Sequence, residues 1–374
     1  MSASQLTLPK QTFTVLVLGG YGNFGTIICE RLSRIPGISI FVSGRNSENC
    51  HALADRLKAQ ALPLDMNQID LSEQIKSVAA DLVISTAGPF QNQDYRVALA
   101  AIQAGAHYID LADARSFVCG ITSLHELALQ RGVLVTSGAS SVPALSAAVI
   151  DAALPKFSHL DSIHHGISSS EKTPGVATIA GVLEYCGKPI SQWRDKHWVT
   201  RYGWQELVRH DFPKPLGQRW VANCDIPDLE LFPLRYPSIR SARFSAGTGL
   251  RVTLFGTWAL SWLVRLGLIR QASRLAPFLR ACAKILEPFG NKLSGMFVQL
   301  DGLGSDGKPL NWNWHLVALN NHGPNIPCIA AVALARKLSA GSIAQRGAQP
   351  CIGLISVEEY LAELEGFDIH ISER

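Results

Sequence analysis

The 374-residue chain lacks a long apolar run, a run of basic residues and any cluster of metal ligands. A membrane span needs about 18 uncharged apolar residues. The nearest approach, Val252–Val264, is 13 residues bracketed by Arg251 and Arg265. Charged residues make up only 17% of the chain, the net charge is +4, and the lysines and arginines are scattered. That pattern excludes nucleic acid as the main partner. The eight cysteines, at 29, 50, 119, 186, 224, 282, 328 and 351, show no C-x-x-C spacing and no Cys/His cluster, so no metal is expected. The first residues, Met1–Gln11, are polar and lack the apolar core of a secretory leader, which leads us to expect a cytoplasmic protein with reduced thiols. H-E-x-x-H, G-x-S-x-G and G-x-x-x-x-G-K-[ST] are missing, which removes the metalloprotease, hydrolase and NTPase readings. The Tyr-x-x-x-Lys pair of short-chain reductases is missing as well.

What is present is an alternation. Apolar strand-like runs at Thr12–Leu18, Ile38–Val42, Ala61–Leu64, Asp81–Ser85, Tyr108–Leu111 and Val133–Thr136 are separated by helical patterns of about ten residues. Strands that are apolar throughout, joined by right-handed helical crossovers, predict a doubly wound parallel sheet, a Rossmann domain over 1–150. Beyond SGASSVPALS (137–146) and the helical run 147–154, the alternation stops. We read 151–325 as a second, α+β domain for substrate or dimerisation, with strands at Ile163–Ser168 and Phe297–Leu300. Helices at 326–337 and 357–364 are expected to pack back on the first domain.

The first strand runs straight into Gly20-Tyr21-Gly22-Asn23-Phe24-Gly25, which opens a helix. In that context the glycines serve a tight turn, close approach of a pyrophosphate to the backbone, and close helix–sheet packing. The helix N-terminus then meets the phosphates. At the tip of the second strand an NAD site places an acid for the ribose 2′-hydroxyl. Here the tip reads Ser43-Gly44-Arg45-Asn46, and Arg45 and Ser43 suit a 2′-phosphate. NADP(H) is therefore expected before NAD(H). Asp65 follows the third strand as an adenine contact or a helix cap. Thr86-Ala87-Gly88-Pro89 follows the fourth, at the switch point where a nicotinamide ribose would lie.

Gly20–Gly25, SGR at 43–45, AGPF at 87–90, AGAHYIDLADARSFV at 104–118 and SGASSVPALS at 137–146 together resemble the saccharopine dehydrogenase-like family, in its broad bacterial branch. The likeness continues more loosely through 302–318, 322–331 and 347–356. It implies an NADP-binding Rossmann domain, a second α+β domain that closes over the cofactor and forms a homodimer, and a C-terminal helix returning to the first domain. Where the family often follows Tyr108-Ile109-Asp110 with Thr-Gly-Glu, this chain has Leu111-Ala112-Asp113, so nothing names saccharopine as the substrate.

No side chain stands out as the proton donor that reduction of a carbonyl, imine or enoyl group needs. Asp110 and Asp113 lie past a strand end on the ligand side, His164 and His165 lie on a strand of the second domain, and Lys172 lies in a polar loop. The residues support an NADP-dependent oxidoreductase first and a non-catalytic dinucleotide-binding sensor or scaffold second. Leu254, Trp258 and Trp262 recur on one helical face amid Arg251, Arg265, Arg270, Arg274 and Arg280. The stretch 250–270 is read as a core or dimer-interface helix, a lid, or a peripheral membrane contact for a lipid-linked substrate.

Overall fold

The computed structural model describes residues 12–170 and 172–374; Met1–Gln11 lies outside the described residues. The first domain runs β1 (Phe13–Leu18), α1 (Asn23–Leu32), β2 (Ile38–Gly44), α2 (Ser47–Leu57), β3 (Gln60–Pro63), α3 (Leu71–Ser77), β4 (Leu82–Ser85), α4 (Arg96–Ala104), β5 (His107–Asp110), α5 (Arg115–Gly120), α6 (His125–Gln130) and β6 (Leu134–Ser137). Its strands are all parallel, in the order β3-β2-β1-β4-β5-β6. β1 is apolar apart from Thr14 and is buried along nearly its whole length, as a central strand covered on both faces must be. The strand order runs outward in opposite directions from β1, through β2 and β3 on one side and β4 to β6 on the other, and the parallel strand ends Leu18, Ser43 and Ser85 stand side by side at one edge. That edge is the switch point of the sheet.

The second half runs α7 (Ser146–Ala153), β7 (Phe157–Ser168), α8 (Val176–Glu184), β8 (Pro189–Arg194), β9 (His197–Tyr202), β10 (Val208–Asp211), β11 (Gln218–Asn223), α9 (Asp228–Arg235), β12 (Ser241–Gly247), α10 (Arg251–Arg265), α11 (Ala276–Leu286), β13 (Ser294–Gly304), β14 (Pro309–Ala318), α12 (Ile329–Ser339), β15 (Gly347–Pro350), α13 (Val357–Ala362) and β16 (Ile369–Glu373). A mixed sheet has the path β10-β11-β12-β7-β13-β14-β16, with the β8–β9 hairpin attached to β12. β13 and β14 are joined by Ser305–Lys308, where Gly307 takes φ +77°, a turn the Asp-Gly pair favours.

The tail contributes both helices and strands. α12 does lie against α1, and α13 lies against α12 and α7. The tail also adds an edge strand to each sheet: β15 pairs in parallel with β6, and β16 pairs antiparallel with β14. Gly-Ala-Gln-Pro carries no alternation to read, and Ile-His-Ile-Ser-Glu alternates over too few residues to stand out. The short helices α3 and α5 escape the sequence pattern for the same reason.

Candidate functional site

The glycine loop is shaped by contacts within the chain. Gly19 takes φ +75°, and Thr86 Oγ1 donates to the carbonyls of Leu18 (3.0 Å) and Gly19 (3.1 Å), tying the loop to the end of β4. A β-carbon on Gly25 would collide with the Gly19 carbonyl and lie 2.7 Å from Gly20 Cα. One on Gly20 would lie 2.9 Å from Val42. These two glycines are required by packing. Gly22 differs: the Gly19 oxygen, at 3.1 Å, is the one protein atom near its missing β-carbon, and its other side is open. It caps α1 with no side chain bonded to the first-turn N–H groups and no acid in that turn. Donors left without a side-chain cap, behind a backbone that any β-carbon would crowd, fit a pyrophosphate.

Tyr21 lies across Gly44, where a β-carbon would stand 2.5 Å from its ring, and its hydroxyl accepts from the Asn46 N–H at 3.0 Å. It joins the loop to the tip of β2. Phe24 packs on the core, and its carbonyl accepts from Cys328 Sγ next to α12. Asn23 is exposed and faces Gly175 of the second domain. At the tip, Arg45 is exposed where a 2′-phosphate would sit, whereas Ser43 is fully buried. The Ser43 hydroxyl has no hydrogen-bond partner among the described residues, so as placed it does not reach the surface. Asp65 accepts from the backbone N–H (3.0 Å) and side-chain amide (2.9 Å) of Asn67 and thereby closes a turn, rather than capping a helix.

The other half of the edge carries the loops after β4, β5 and β6. Gly88–Pro89 is a cis peptide, and Gln93 Nε2 donates to the carbonyls of Ala87 (3.0 Å) and Pro89 (2.7 Å), leaving Gly88 and Pro89 at the surface. Asp110 is wholly buried. Its carboxylate accepts from the N–H groups of Ala112 and Gly138 and from Ser137 Oγ, pinning the β6 loop. Burial raises this carboxyl to about 6 even though those hydrogen bonds pull it down. Asp110 is thus an internal brace and does not face substrate. Asp113 is the opposite case: it is exposed yet walled by protein, it accepts from Gln91 Nε2 at 3.3 Å, and desolvation raises its carboxyl. With Gln91 also lying against Gly181 of α8, Asp113 borders the cleft between the two domains.

The second domain supplies the other wall. A β-carbon on Gly181 of α8 would lie 2.8 Å from Gln91 Oε1. One turn on, Tyr185 Oη lies 2.6 Å from Cys224 Sγ. Burial first, then Cys224 and the acids Asp113 and Asp225, hold the phenol well above its ordinary range, so it keeps its proton at neutral pH. Arg115 spans the domains, donating to Glu230 (3.0 Å), Ser191 O (2.8 Å) and Asp225 (3.3 Å). Gln91, Tyr185 and Cys224 carry no motif, and only the apposition of α8 with the β4 loop brings them to Asp113.

The remaining candidates do not join this group. His165 Nε2 bonds to Asp228 Oδ2 at 2.9 Å, and Ser146 Oγ donates to the same oxygen at 2.5 Å; all three residues are fully buried at the junction of the two domains. His164 points to the opposite face of β7, against Ser245 and the edge of Phe297, and burial pushes its imidazole well down. Lys172 is exposed in its loop near Glu287. Among the described residues no three His, Cys, Asp or Glu side chains gather as a metal site.

A glycine loop at the switch point of a 3-2-1-4-5-6 sheet, capped by a second mixed-sheet domain, defines a two-domain dinucleotide-binding protein. Residues 15–157 match the family model described as the saccharopine dehydrogenase NADP binding domain. Over 97% of its length the chain superposes on the whole of a saccharopine dehydrogenase (L-Glu forming) from Saccharomyces cerevisiae, with a TM-score of 0.70 at 13% identity. It also superposes over 98% of its length on 91% of a homospermidine synthase from Legionella pneumophila, solved with NAD, with a TM-score of 0.63 at 11% identity. At such identities the likeness is one of fold. A Mycobacterium tuberculosis protein named as a trans-acting enoyl reductase is 27% identical over 146 residues, 37% of this chain and 35% of that protein. The chain thus matches about a third of the length of the curated relatives found.

Proposed function

We propose that the protein is an NADP-dependent oxidoreductase that reduces a carbonyl, imine or enoyl group held between the β4–β6 loops and α8. The observation that carries this reading is the Asp113–Gln91 pair. The pair is exposed, lies against α8 through Gln91 and Gly181, and is set on the half of the sheet edge where a nicotinamide would lie. Gly22 and the first turn of α1 would hold the pyrophosphate and Arg45 the 2′-phosphate, while Gly88 and Pro89 would leave room for the ribose. The dinucleotide supplies the hydride. The chain's own residues orient the substrate and deliver a proton to the atom that gains negative charge. Asp113 is placed for that delivery, since desolvation favours its protonated form. Tyr185 stands on the α8 side of the cleft with its hydroxyl bonded to Cys224 Sγ. Enoyl reduction comes first among the three chemistries because of the mycobacterial relative's name.

The test is single-turnover oxidation of NADPH with a panel of enoyl thioesters, 2-oxo acids and cyclic imines. Turnover on at least one member is expected, with Asp113→Asn slowing it about 10²-fold or more and leaving NADPH affinity unchanged. Tight NADPH binding with no oxidation by any member would overturn the reading in favour of a dinucleotide sensor.

A further inference from the structure

α10 and α11 both turn apolar side chains toward solvent. On α10 and the residue after it, Val252, Phe255, Ala259, Trp262, Leu263 and Leu266 are exposed, at spacings of three, four, three, one and three. That is one continuous face about 20 Å long at 1.5 Å rise per residue. The opposite face, Leu254, Leu260 and Ser261, is what packs on the protein. Here the expectation of a common Leu254–Trp258–Trp262 face is corrected: Leu254 points inward and Trp262 outward. α11 and the turn after it repeat the arrangement with Phe278, Ala281, Ile285 and Phe289, of which Phe289 is 76% exposed. Both helices rest on the same internal apolar cluster. Between residues 250 and 292 stand seven basic residues, Arg251, Arg265, Arg270, Arg274, Arg280, Lys284 and Lys292, against one acid, Glu287. Glu287 is held inward by Thr173, whose hydroxyl donates to it at 2.5 Å. The segment outweighs the net positive charge of the whole chain, so the rest is net acidic.

We propose that this flank docks on an anionic lipid bilayer, lying in the interface with its aromatic and aliphatic side chains among the acyl chains and its arginines at the headgroups. A second copy of the chain is disfavoured by charge: a two-fold contact would bring each set of cations against its own image, and the segment carries no acidic patch to receive them. An anionic surface supplies the complementary charge, and the paired apolar stripes supply the insertion energy. No described helix is long and apolar enough to cross a membrane, so the helices lie flat. α8 links this flank to the cleft: it packs on α11 and on the turn at 272–275, and its Gly181 faces Gln91. A lipid-borne substrate would therefore leave the bilayer one helix away from Asp113.

The experiment is sedimentation of the full chain with vesicles of phosphatidylcholine alone and with 30% phosphatidylglycerol, together with the Leu263→Ser/Phe278→Ser variant. Both positions are exposed, so NADPH binding should match the parent and serves as the folding control. This proposal does not depend on catalysis, because a protein that binds vesicles without turnover still supports it. Expected are tighter binding to the anionic vesicles by at least tenfold, weakening with added salt, a blue shift of Trp emission, and at least a tenfold loss in the variant. Absence of binding to either vesicle would overturn the proposal. So would a concentration-dependent dimer that the same variant dissociates, since a second copy would then cover the face.

Discussion

α12 and α10 are both built mainly from alanine, valine, leucine and small residues, yet they occupy opposite environments. Eight of the eleven residues of α12 are buried, whereas three of the fifteen of α10 are. α12 is closed in by α1 and α13. Its alanines let these neighbours approach closely, and it stands directly behind the glycine loop, where Cys328 reaches the Phe24 carbonyl. α10 meets the protein along one narrow stripe and leaves the rest to solvent. Apolar composition therefore says that a helix seeks an apolar neighbour, and position in the fold decides whether the chain itself provides one.

The sharpest way to break this contrast is to place the same charge in both helices. Ala331→Asp buries an unpaired carboxylate in α12 and should cost about 4 kcal/mol or more, seen as loss of folded protein or a large fall in Tm. Ala259→Asp on the outer face of α10 should change stability by less than about 0.5 kcal/mol. Equal effects would show that the outer face of α10 is covered. A smaller effect is expected in front of α12. Gly25→Ala drives a β-carbon into the Gly19 carbonyl, so the loop must shift. We expect about 1–3 kcal/mol of destabilisation and at least a tenfold loss of NADPH affinity by fluorescence titration.

A third comparison uses protons as the probe of burial. His210 and His315 are buried with Nε2 atoms 3.1 Å apart, and His210 stacks on Phe297. Burial pushes both imidazoles down to about 4. The folded state therefore binds fewer protons than the unfolded chain between pH 4 and about 6.5. This contribution is complete above about pH 6.5 and is lost as pH falls toward 4. Urea melts at pH 7 and pH 5 should differ by about 1–3 kcal/mol, and His315→Gln should flatten the difference. An unchanged slope would mean that the pair is not buried. The smallest effect is at the tip of β2, the exposed end of the cofactor site. Arg45→Ala should weaken NADPH by about tenfold and leave NADH unchanged, since one charge-assisted pair is worth about 1–3 kcal/mol. Equal losses for both dinucleotides would remove Arg45 from the 2′-phosphate.

The alternation of apolar strands with helices made the first sheet readable, and Gly20–Gly25 stood out because a strand and a helix flank it. The reading went no further for reasons visible in single residues. Ser43 and Arg45 are two apart in sequence, yet β2 ends at Gly44, so the first is buried within the strand and the second lies exposed just beyond it. Asp110 and Asp113 look alike as residues after a strand, but the first is locked by three donors within the sheet edge while the second stands in the cleft. Gly181 and Gln91 are 90 positions apart and meet only because α8 lies over the β4 loop. The second sheet offered two readable strands; β10 and β16 are short, and the ten residues of β14 mix Asn with Trp before turning apolar.

The placement of β15 also bears on how the chain is made. β6 is complete at residue 137, but its neighbour on the outer side begins at residue 347. About 210 further residues must be synthesised in between, which at about 5–20 residues per second takes roughly 10–40 s. Throughout that time the nascent first domain offers the bare edge of β6, four residues of open backbone donors and acceptors, to any other unpaired strand. The fold thus carries a period of vulnerability on the ribosome that its finished form does not reveal, and it is closed by Gly-Ala-Gln-Pro.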